Sequence, residues 1–338
     1  MKLNGYLIII SFLFACDIKK NDDEETLLPN FDLYTSYFTG KTLDIETSAK
    51  GGVCLMGGSS ETDNAMRWFL DQSNGGDILV LRTSGSDGYN NYMYKELGVS
   101  INSIETLVIK TIEASYDDYL LNKIEKAEGI WFAGGNQWTY VNYWKNTPVD
   151  SLINEAIKKR NIVIGGTSAG MAILGEKIFS AEFGSLSSIE ALNDPFNGKV
   201  SIDSMKYISI PFLNDVITDT HYSERNRYGR HVTMMARLKI NGESKGIGLD
   251  EKTSICISRD GIASVYGINS AFFIKSNSNP EICISGESLT WNNNEQALSV
   301  YEVSASLNGL NSFDLNDWVS GSGGKWYNWF VEDGKLFK

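Results

Sequence analysis

One short stretch constrains this chain more than any other: an apolar, β-branched run that stops at two glycines and continues into a serine. Residues 162–170 read IVIGGTSAG. Small residues on both sides of a serine predict a strand, a sharp turn and a helix, with Ser168 at the apex of the turn. A serine there projects from the carboxyl edge of a sheet and can act as a nucleophile. A Walker phosphate loop is disfavoured because no Gly-Lys-Ser/Thr ending follows, while a plain tight turn stays open.

Composition limits the chemistry that can accompany this serine. The chain has 338 residues, is 42% hydrophobic and carries a net charge of -12. It can bury one large core, or a core plus a small appendage, and its acidity disfavours nucleic acid as a partner. His221 and His231 are the only histidines in the sequence. A three-histidine metal site is therefore excluded, the cysteines show no zinc spacing, and we expect neither a metal nor a cofactor.

The N-terminus has the pattern of an export signal. Lys2 precedes an apolar run over residues 6–15 that is too short to span a bilayer, so residues 1–15 are predicted to be a signal peptide. The run ends in LFAC, which resembles a bacterial lipobox with Cys16 as the lipidated residue, although Phe14 departs from the usual small residue. Ordinary signal cleavage is the alternative. The sequence predicts an exported lipoprotein of the bacterial cell envelope, held at the outer membrane or cell surface by its N-terminal lipid.

Residues 16–45 form the next segment, which begins with the charged run DIKKNDDEE after Cys16. Such a run cannot fold alone and predicts a polar tether. Beyond it, Cys54, Cys256 and Cys283 each lie in an apolar, strand-like run. Buried thiols are the favoured interpretation, while one disulfide with a thiol left over stays open for an exported protein.

From residue 51 onward, apolar strand-like runs alternate with helical patterns. This alternation predicts an α/β fold, with a mostly parallel sheet and helices on both of its faces. Glycine-bearing loops follow Met56, Ala133 and Ile164 at the carboxyl edge, where such folds bind ligands, so we expect the loops to meet in one crevice. After residue 276 the chain becomes rich in Asn, Ser and Gly. The sequence thus predicts a catalytic domain at 46–276 and a small β-rich appendage at 277–338.

Four motifs occur in one order along the chain. They are the serine turn, GGNQ at 134–137, HYSERNRYGR at 221–230 and GIGLDE at 246–251. Together they resemble the cyanophycinase and dipeptidase E family of serine peptidases, over about residues 51–274. The resemblance implies a fold like that of class I glutamine amidotransferases, with serine where those enzymes have cysteine.

The resemblance also implies catalytic roles. Ser168 would be the nucleophile and His221 its general base, and the backbone N–H groups of Gly135 and Ala169 would form the oxyanion hole. Because His221 follows a predicted strand end, it can reach the crevice. His231 falls within a predicted helix and is assigned either a structural role or a place on the exposed face of that helix.

The third member of the triad is implied to be an acidic residue between the serine and the histidine. Glu190, shortly before an Asn-Asp-Pro turn, matches this pattern best, and Glu182 is the second candidate.

A substrate site is implied as well. Clustered guanidinium groups suit a carboxylate, and the α-carboxylate of a β-linked aspartyl residue is the expected ligand. Pairing of the arginines with Asp219, Glu224 or Asp250 is the alternative. Two positions depart from the family pattern. Asn136 occurs where the family has aspartate, and Thr220 occurs where cyanophycinases usually have glutamine. We expect these departures to affect substrate choice rather than catalysis. The predicted substrate-binding residues are Gln137, Asn136, Thr220, Arg225, Arg227 and Arg230.

The sequence thus predicts a serine hydrolase that cleaves peptide bonds at aspartyl residues. Cyanophycin, a polymer of β-Asp-Arg units, or β-aspartyl dipeptides are the expected substrates. An α-aspartyl dipeptidase and a non-catalytic surface binding lipoprotein of the same fold are the alternatives. A flavodoxin-like cofactor binder is disfavoured because the dinucleotide fingerprint is missing. The sequence leaves open whether the protein forms a homodimer.

Overall fold

The computed structural model describes residues 27–203 and 207–338. The predicted signal peptide, Cys16 and the first part of the predicted tether lie outside these ranges. Among the described residues, no helix is long and apolar enough to cross a membrane.

The described elements mostly alternate between strand and helix up to residue 239, and those described after it are all strands. The strands are β1 Tyr34–Gly40, β2 Gly52–Met56, β3 Asp77–Arg82, β4 Ser103–Ile109, β5 Gly129–Phe132, β6 Val163–Thr167, β7 Ile178–Phe179, β8 Ile202–Asp203, β9 Val216–Asp219, β10 Lys245–Leu249, β11 Thr253–Ile257, β12 Ile262–Gly267, β13 Ser270–Ser276, β14 Leu298–Ser304, β15 Asn311–Asp314, β16 Gly321–Ser322, β17 Gly324–Glu332 and β18 Lys335–Phe337. The α-helices are α1 Asp63–Gln72, α2 Gly88–Asn91, α3 Asp118–Lys126, α4 Gln137–Trp144, α5 Pro148–Glu155, α6 Ala169–Ala172, α7 Ser188–Asn193 and α8 Tyr228–Lys239.

The larger sheet has the strand order β1-β4-β3-β5-β6-β2-β11-β12-β15-β16. Its centre, from β4 to β2, is parallel, whereas β1 pairs with β4 and β11 pairs with β2 in antiparallel fashion. This arrangement confirms the predicted α/β class with a mostly parallel sheet.

Helices cover both faces of this sheet, as the alternation along β2 shows. Val53 and Leu55 pack in one apolar cluster with residues of α3, α4 and α5. Cys54 and Met56 point the other way and pack in a second cluster with residues of α1. Because successive side chains of a strand face opposite sides, a strand buried on both faces must be apolar along its whole length. That is the pattern from which the sequence predicts the parallel sheet.

A second sheet has the order β18-β17-β14-β13-β10-β9. Residues 277–338 contribute strands to both sheets: β14 pairs with β13 in the second, and β15 pairs with β12 in the larger one. The C-terminal residues are therefore β-rich, and their strands continue the sheets of the preceding residues. A domain boundary at residue 276 stays a prediction.

Three loops meet at the carboxyl edge of the parallel strands. The N–H of Ser168, directly after β6, donates a 3.0 Å hydrogen bond to the carbonyl of Met56, the last residue of β2. Beyond β5, a β-carbon placed on Gly134 would lie 3.6 Å from Cβ of Ser168. The glycine loops thus converge around the serine, as the sequence suggested.

Candidate active site

Ser168 occupies the turn between β6 and α6 with φ 52° and ψ -116°. A positive φ is costly for a non-glycine residue and is tolerated where the surrounding structure imposes it. The turn also requires very close packing, because a β-carbon on Gly170 would clash with the carbonyl of Phe132. The small residues around Ser168 are thus explained by the approach of β5 to the start of α6.

A chain of two hydrogen bonds runs from this serine. Oγ of Ser168 lies 2.8 Å from Nε2 of His221, and Nδ1 of His221 lies 2.6 Å from Oε1 of Glu251. His221 follows the end of β9, has φ 46° and donates its backbone N–H to the carbonyl of Gly57 at 2.8 Å. Its ring packs against Gly58, where any β-carbon would clash with the imidazole. The serine, the histidine and a carboxylate are therefore aligned in the order of a catalytic triad.

The tautomer of His221 follows from its two partners. An ionised carboxylate can only accept, so the proton lies on Nδ1 and points at Glu251, which leaves the lone pair of Nε2 to accept from the Ser168 hydroxyl. Burial lowers the pKa of His221 below its usual range, the hydrogen bond to Glu251 opposes this shift, and the charges of Arg225 and Arg227 add to the lowering. The imidazole is thus neutral at neutral pH, which is the form able to take up a proton.

Glu251 lies in the turn between β10 and β11, where its backbone is held on both sides. Its N–H donates to Oε2 of Glu224 at 3.1 Å, and its carbonyl accepts from Nδ2 of Asn269 at 2.8 Å. The hydrogen bond from His221 lowers the pKa of Glu251, so this carboxyl is ionised at neutral pH. The GIGLDE motif thus provides the residue that orients the histidine.

Glu190, the sequence-predicted third triad member, has a different role. It lies in the first turn of α7, where its carboxylate accepts the backbone N–H and hydroxyl of Ser187 in a reciprocal capping box. It also pairs with Nζ of Lys199 at 2.9 Å. The backbone hydrogen bond from Ser187, followed by Lys199, lowers the pKa of Glu190 to about 2. The assignment of Glu190 to the triad is therefore corrected, because the carboxylate that contacts His221 is that of Glu251.

Glu182, the second candidate, does not occupy the position either. Both ring nitrogens of His221 already have partners, Ser168 on one side and Glu251 on the other. The described contact of Glu182 is a hydrogen bond from its backbone N–H to Oγ of Ser180 at 3.3 Å.

The predicted oxyanion-hole groups belong to the residue after Ser168 and to the loop after β5. Ala169 is the first residue of α6, so its N–H has no acceptor one turn earlier in the helix. Gly135 lies in the loop between β5 and α4, next to Gly134, whose missing side chain faces Ser168. In the described part of the chain, neither N–H is engaged in a hydrogen bond. Both are therefore available to a substrate, and their role stays a prediction.

The arginines predicted to bind substrate differ sharply in environment. Arg230 is 3% exposed and forms a bidentate pair with Asp219, with Nε–Oδ2 at 2.8 Å and Nη2–Oδ1 at 2.5 Å. Burial alone would raise the pKa of Asp219, but Arg230 and Arg227 outweigh it and lower that pKa. Arg230 is thus consumed by an internal ion pair, which corrects its assignment to the substrate site. Arg225 is exposed.

Arg227 and Thr220 are linked to each other. Nη1 of Arg227 donates to the carbonyl of Thr220 at 2.9 Å and to its hydroxyl at 3.2 Å, and lies 3.6 Å from Oδ1 of Asp219. Thr220 is 3% exposed. The described polar contacts of the Thr220 side chain are thus with Arg227, and a role of Thr220 in substrate binding stays a prediction.

Gln137 and Asn136 shape the loop that follows β5. Nε2 of Gln137 donates to the carbonyl of Phe179 at 2.6 Å, which ties the start of α4 to β7. Oδ1 of Asn136 accepts the N–H of Trp138 at 2.9 Å and caps α4. Both residues therefore have structural partners, and Asn136 remains exposed at the edge where Gly135 lies.

His231 is buried in α8, where Nδ1 lies 3.0 Å from the hydroxyl of Tyr222 and Nε2 lies 3.1 Å from the carbonyl of Ile217. Both of its nitrogens are satisfied, in agreement with its predicted structural role. Within the described residues, no three His, Cys, Asp or Glu side chains are grouped to hold a metal ion.

A family model described as peptidase family S51 matches residues 55–265. The chain belongs to this family. The matched region contains Ser168, His221 and Glu251, and it confirms the resemblance to the cyanophycinase and dipeptidase E peptidases. The strands after β12 lie beyond it.

Named relatives agree with this assignment at low identity. A cyanophycinase from Trichormus variabilis is 26% identical over 182 residues, which covers 54% of this chain and 56% of the relative. A cyanophycinase from Geminocystis herdmanii is 28% identical over 155 residues, covering 46% of this chain and 50% of the relative. The chain thus spans about half the length of the curated relatives it matches. The crystal structure of a peptidase from an acI-B1 actinobacterium shares the fold, with a TM-score of 0.51, 15% identity and coverage of 79% of this chain and 98% of that one.

Proposed function

We propose that this protein is a serine peptidase that hydrolyses peptide bonds at aspartyl residues through a Ser168–His221–Glu251 triad. The observation that carries the proposal is the continuous hydrogen-bonded line from Oγ of Ser168 through the imidazole to the Glu251 carboxylate. Membership of peptidase family S51 supports the same reaction class.

The first half of the reaction forms an acyl-enzyme. The lone pair of Ser168 Oγ attacks the scissile carbonyl carbon while its proton passes to Nε2 of His221. The carbonyl oxygen becomes negative and is held by the free N–H groups of Gly135 and Ala169. When this intermediate collapses, the C–N bond breaks and the leaving amine takes the proton from His221. The Glu251 carboxylate stabilises the imidazolium that exists between these two proton transfers.

The second half restores the enzyme. A water molecule gives one proton to Nε2 of His221 and attacks the ester carbonyl with its oxygen. The ester C–O bond then breaks, and the proton returns from His221 to Oγ of Ser168. The products are a free carboxylate and, from the first half, a free amine.

Arginine placement supports an acidic substrate. The side chain of Arg225 is exposed, and the charges of Arg225 and Arg227 both act on His221. A guanidinium near the catalytic histidine suits the free α-carboxylate of a β-linked aspartyl residue, because it can donate two parallel hydrogen bonds to it. Two relatives named cyanophycinase point to the same class. We infer that Arg225 binds this carboxylate and that the charge of Arg227 adds to the attraction.

Cyanophycin and β-aspartyl dipeptides are the substrates to test first, with α-aspartyl dipeptides as the competing class. The purified chain is incubated separately with cyanophycin, β-Asp-Arg, β-Asp-Leu and Asp-Leu, and the products are identified by mass spectrometry. Release of β-Asp-Arg from the polymer supports a cyanophycinase. Cleavage of Asp-Leu alone makes the protein an α-aspartyl dipeptidase instead.

Two variants act as controls in this assay. Ser168→Ala should abolish every cleavage because it removes the nucleophile, whereas Glu190→Gln should cleave like the wild type. If no substrate is cleaved by the wild type, the proposal of an aspartyl peptidase fails and the non-catalytic binding lipoprotein gains weight.

We further propose that the protein is exported and lipidated at Cys16. The signal-like run over residues 6–15 and the LFAC sequence support this proposal. Expression in a bacterial host with an alkyne-tagged fatty acid should label the wild type and leave Cys16→Ala unlabelled. Equal labelling of both, or of neither, would contradict it.

A further inference from the structure

Two cysteines face each other on neighbouring strands beneath the candidate active site. Cys54 lies in β2 and Cys256 in β11, and the two are direct partners in the antiparallel register. Their Sγ atoms are 3.8 Å apart. Direct partners on antiparallel strands have Cα atoms about 4.5–5.5 Å apart, which falls within the range that a disulfide can bridge.

The surroundings isolate these two thiols as a pair. Cys54 is fully buried and Cys256 is 2% exposed, and both pack in the apolar cluster beneath α1. Each Sγ also lies 3.9 Å from the carbonyl of Ala65, so both thiols are on the same face of the sheet. The third described cysteine, Cys283, packs in a different cluster, with residues of β9, α8 and β14.

We propose that Cys54 and Cys256 form a disulfide when the chain folds in an oxidising environment, and that Cys283 remains a free thiol. Both residues are free cysteines in the structure, which is the reduced form of the pair. Formation needs an oxidant, here a small-molecule or protein disulfide. The thiolate of one cysteine attacks the oxidant and releases one of its thiols as a mixed disulfide forms. The second cysteine then attacks that mixed disulfide, and the other thiol leaves.

Burial sets when this oxidation takes place. Desolvation raises the pKa of Cys256 well above its ordinary value, and that of Cys283 to about 11. Little thiolate therefore exists in the folded protein, and the thiolate is the reacting form. Oxidation is expected while β2 and β11 pair, before α1 closes over them, and it is expected to be slow once folding is complete.

The crosslink would join the two segments that hold the catalytic groups. Directly after β2, the N–H of Gly57 donates to the carbonyl of Thr253 at 2.9 Å, and the carbonyl of Gly58 accepts from Lys252 at 3.0 Å. These bonds connect the loop beneath His221 to the turn that carries Glu251. A covalent link between positions 202 residues apart would restrict the unfolded chain strongly and keep these segments paired.

Peptide mapping tests the pairing directly. The full chain carrying Cys16→Ala is unfolded in denaturant with reductant and refolded with oxidised and reduced glutathione. Free thiols are then blocked with N-ethylmaleimide, and the unreduced digest is analysed by mass spectrometry. The expected result is one linked peptide pair that contains Cys54 and Cys256, with N-ethylmaleimide on Cys283. Blocking of all three thiols, glutathione on either residue without a link, or a link to Cys283 would overturn the proposal.

Variants add a second measurement in the same background. Cys283→Ala should keep the linked pair, while Cys54→Ala and Cys256→Ala should lose it. Adding reductant should lower the thermal midpoint of the oxidised Cys283→Ala protein by about 4–10 °C, and it should leave both of the other variants unchanged. An equal response of all three variants to reductant would count against the crosslink. If the Cys54 or Cys256 variant fails to fold, the mapping of the unaltered pair still decides the question.

Discussion

Replacement of Glu251 by glutamine removes the charge that faces His221 while keeping the shape of the side chain. The bond from Nδ1 to the carboxylate is 2.6 Å long, and a hydrogen bond to a charged group contributes about 1.5–3 kcal/mol. The side chain of Glu251 is 27% exposed, so solvent reduces this contribution toward the lower value. Because the bond is strongest when His221 is protonated, its loss should lower kcat/KM by roughly 10- to 100-fold.

The pH profile gives a second, independent signature of the same change. The hydrogen bond and charge of Glu251 raise the pKa of His221 against the lowering by burial. Removing the charge lowers that pKa further, so the acidic limb of kcat/KM should move to lower pH in Glu251→Gln. The assay is hydrolysis of the best substrate between about pH 5 and 9, with Glu190→Gln as the matched control. Wild-type kinetics or an unmoved acidic limb for Glu251→Gln would refute the reasoning, and so would slow kinetics for Glu190→Gln.

Three further predictions concern substrate binding, folding and pH. Arg225→Met should raise KM for an acidic substrate with little change in thermal midpoint. Arg230→Met leaves a buried carboxylate without its partner and should lower the thermal midpoint by several degrees. The reverse pattern in kinetics and thermal melts would contradict the assignment of Arg225 to substrate binding and of Arg230 to the fold. Gly170→Ala should destabilise the fold by about 2 kcal/mol or more in urea unfolding, because its β-carbon meets the Phe132 carbonyl; unchanged stability would contradict this packing. Burial raises the pKa of Glu128 to about 7, so the folded protein holds this proton more tightly than the unfolded chain does. The free energy of unfolding should therefore fall by roughly 2–3 kcal/mol as pH rises from about 4.5 to 7. Glu128→Gln should flatten that fall, and an equal slope in both proteins would rule out Glu128 as its source.

Local rules are sufficient to predict that Ser168 and His221 each lie just after the end of a strand. The small residues around Ser168 are required by contacts within the turn itself and with the neighbouring strand, and their spacing is visible in nine consecutive letters. His221 lies two residues beyond Asp219, the last residue of β9. The parallel sheet was equally predictable, because strands buried on both faces must be apolar throughout.

The carboxylate that contacts His221 could not be derived from spacing. Glu251 lies 30 residues after His221 and reaches it only because β10 pairs with β9 and its turn is held by Glu224 and Asn269. Such pairing is a property of the tertiary structure. The family pattern instead predicts an acidic residue in the segment between the serine and the histidine, which contains Glu190.

The sequence did contain a signal against Glu190. Ser187 precedes it by three residues, and a serine followed three positions later by glutamate is the pattern of a capping box at a helix start. The burial of the arginines could not be predicted from the sequence, since no local rule distinguishes the exposed Arg225 from the buried Arg230. Their burial depends on the position of Asp219 in the second sheet, and the alternative of internal pairing was right for Arg230.

Reaction with a fluorophosphonate probe tests the central claim most directly, because it requires an activated serine and no knowledge of the substrate. The wild type should be labelled once, and peptide mapping should find the phosphonyl group on Ser168. Ser168→Ala should remain unlabelled, and His221→Gln should react at least about 100-fold more slowly. Labelling of another serine, or an undiminished rate in the histidine variant, would contradict a Ser168–His221–Glu251 catalytic triad.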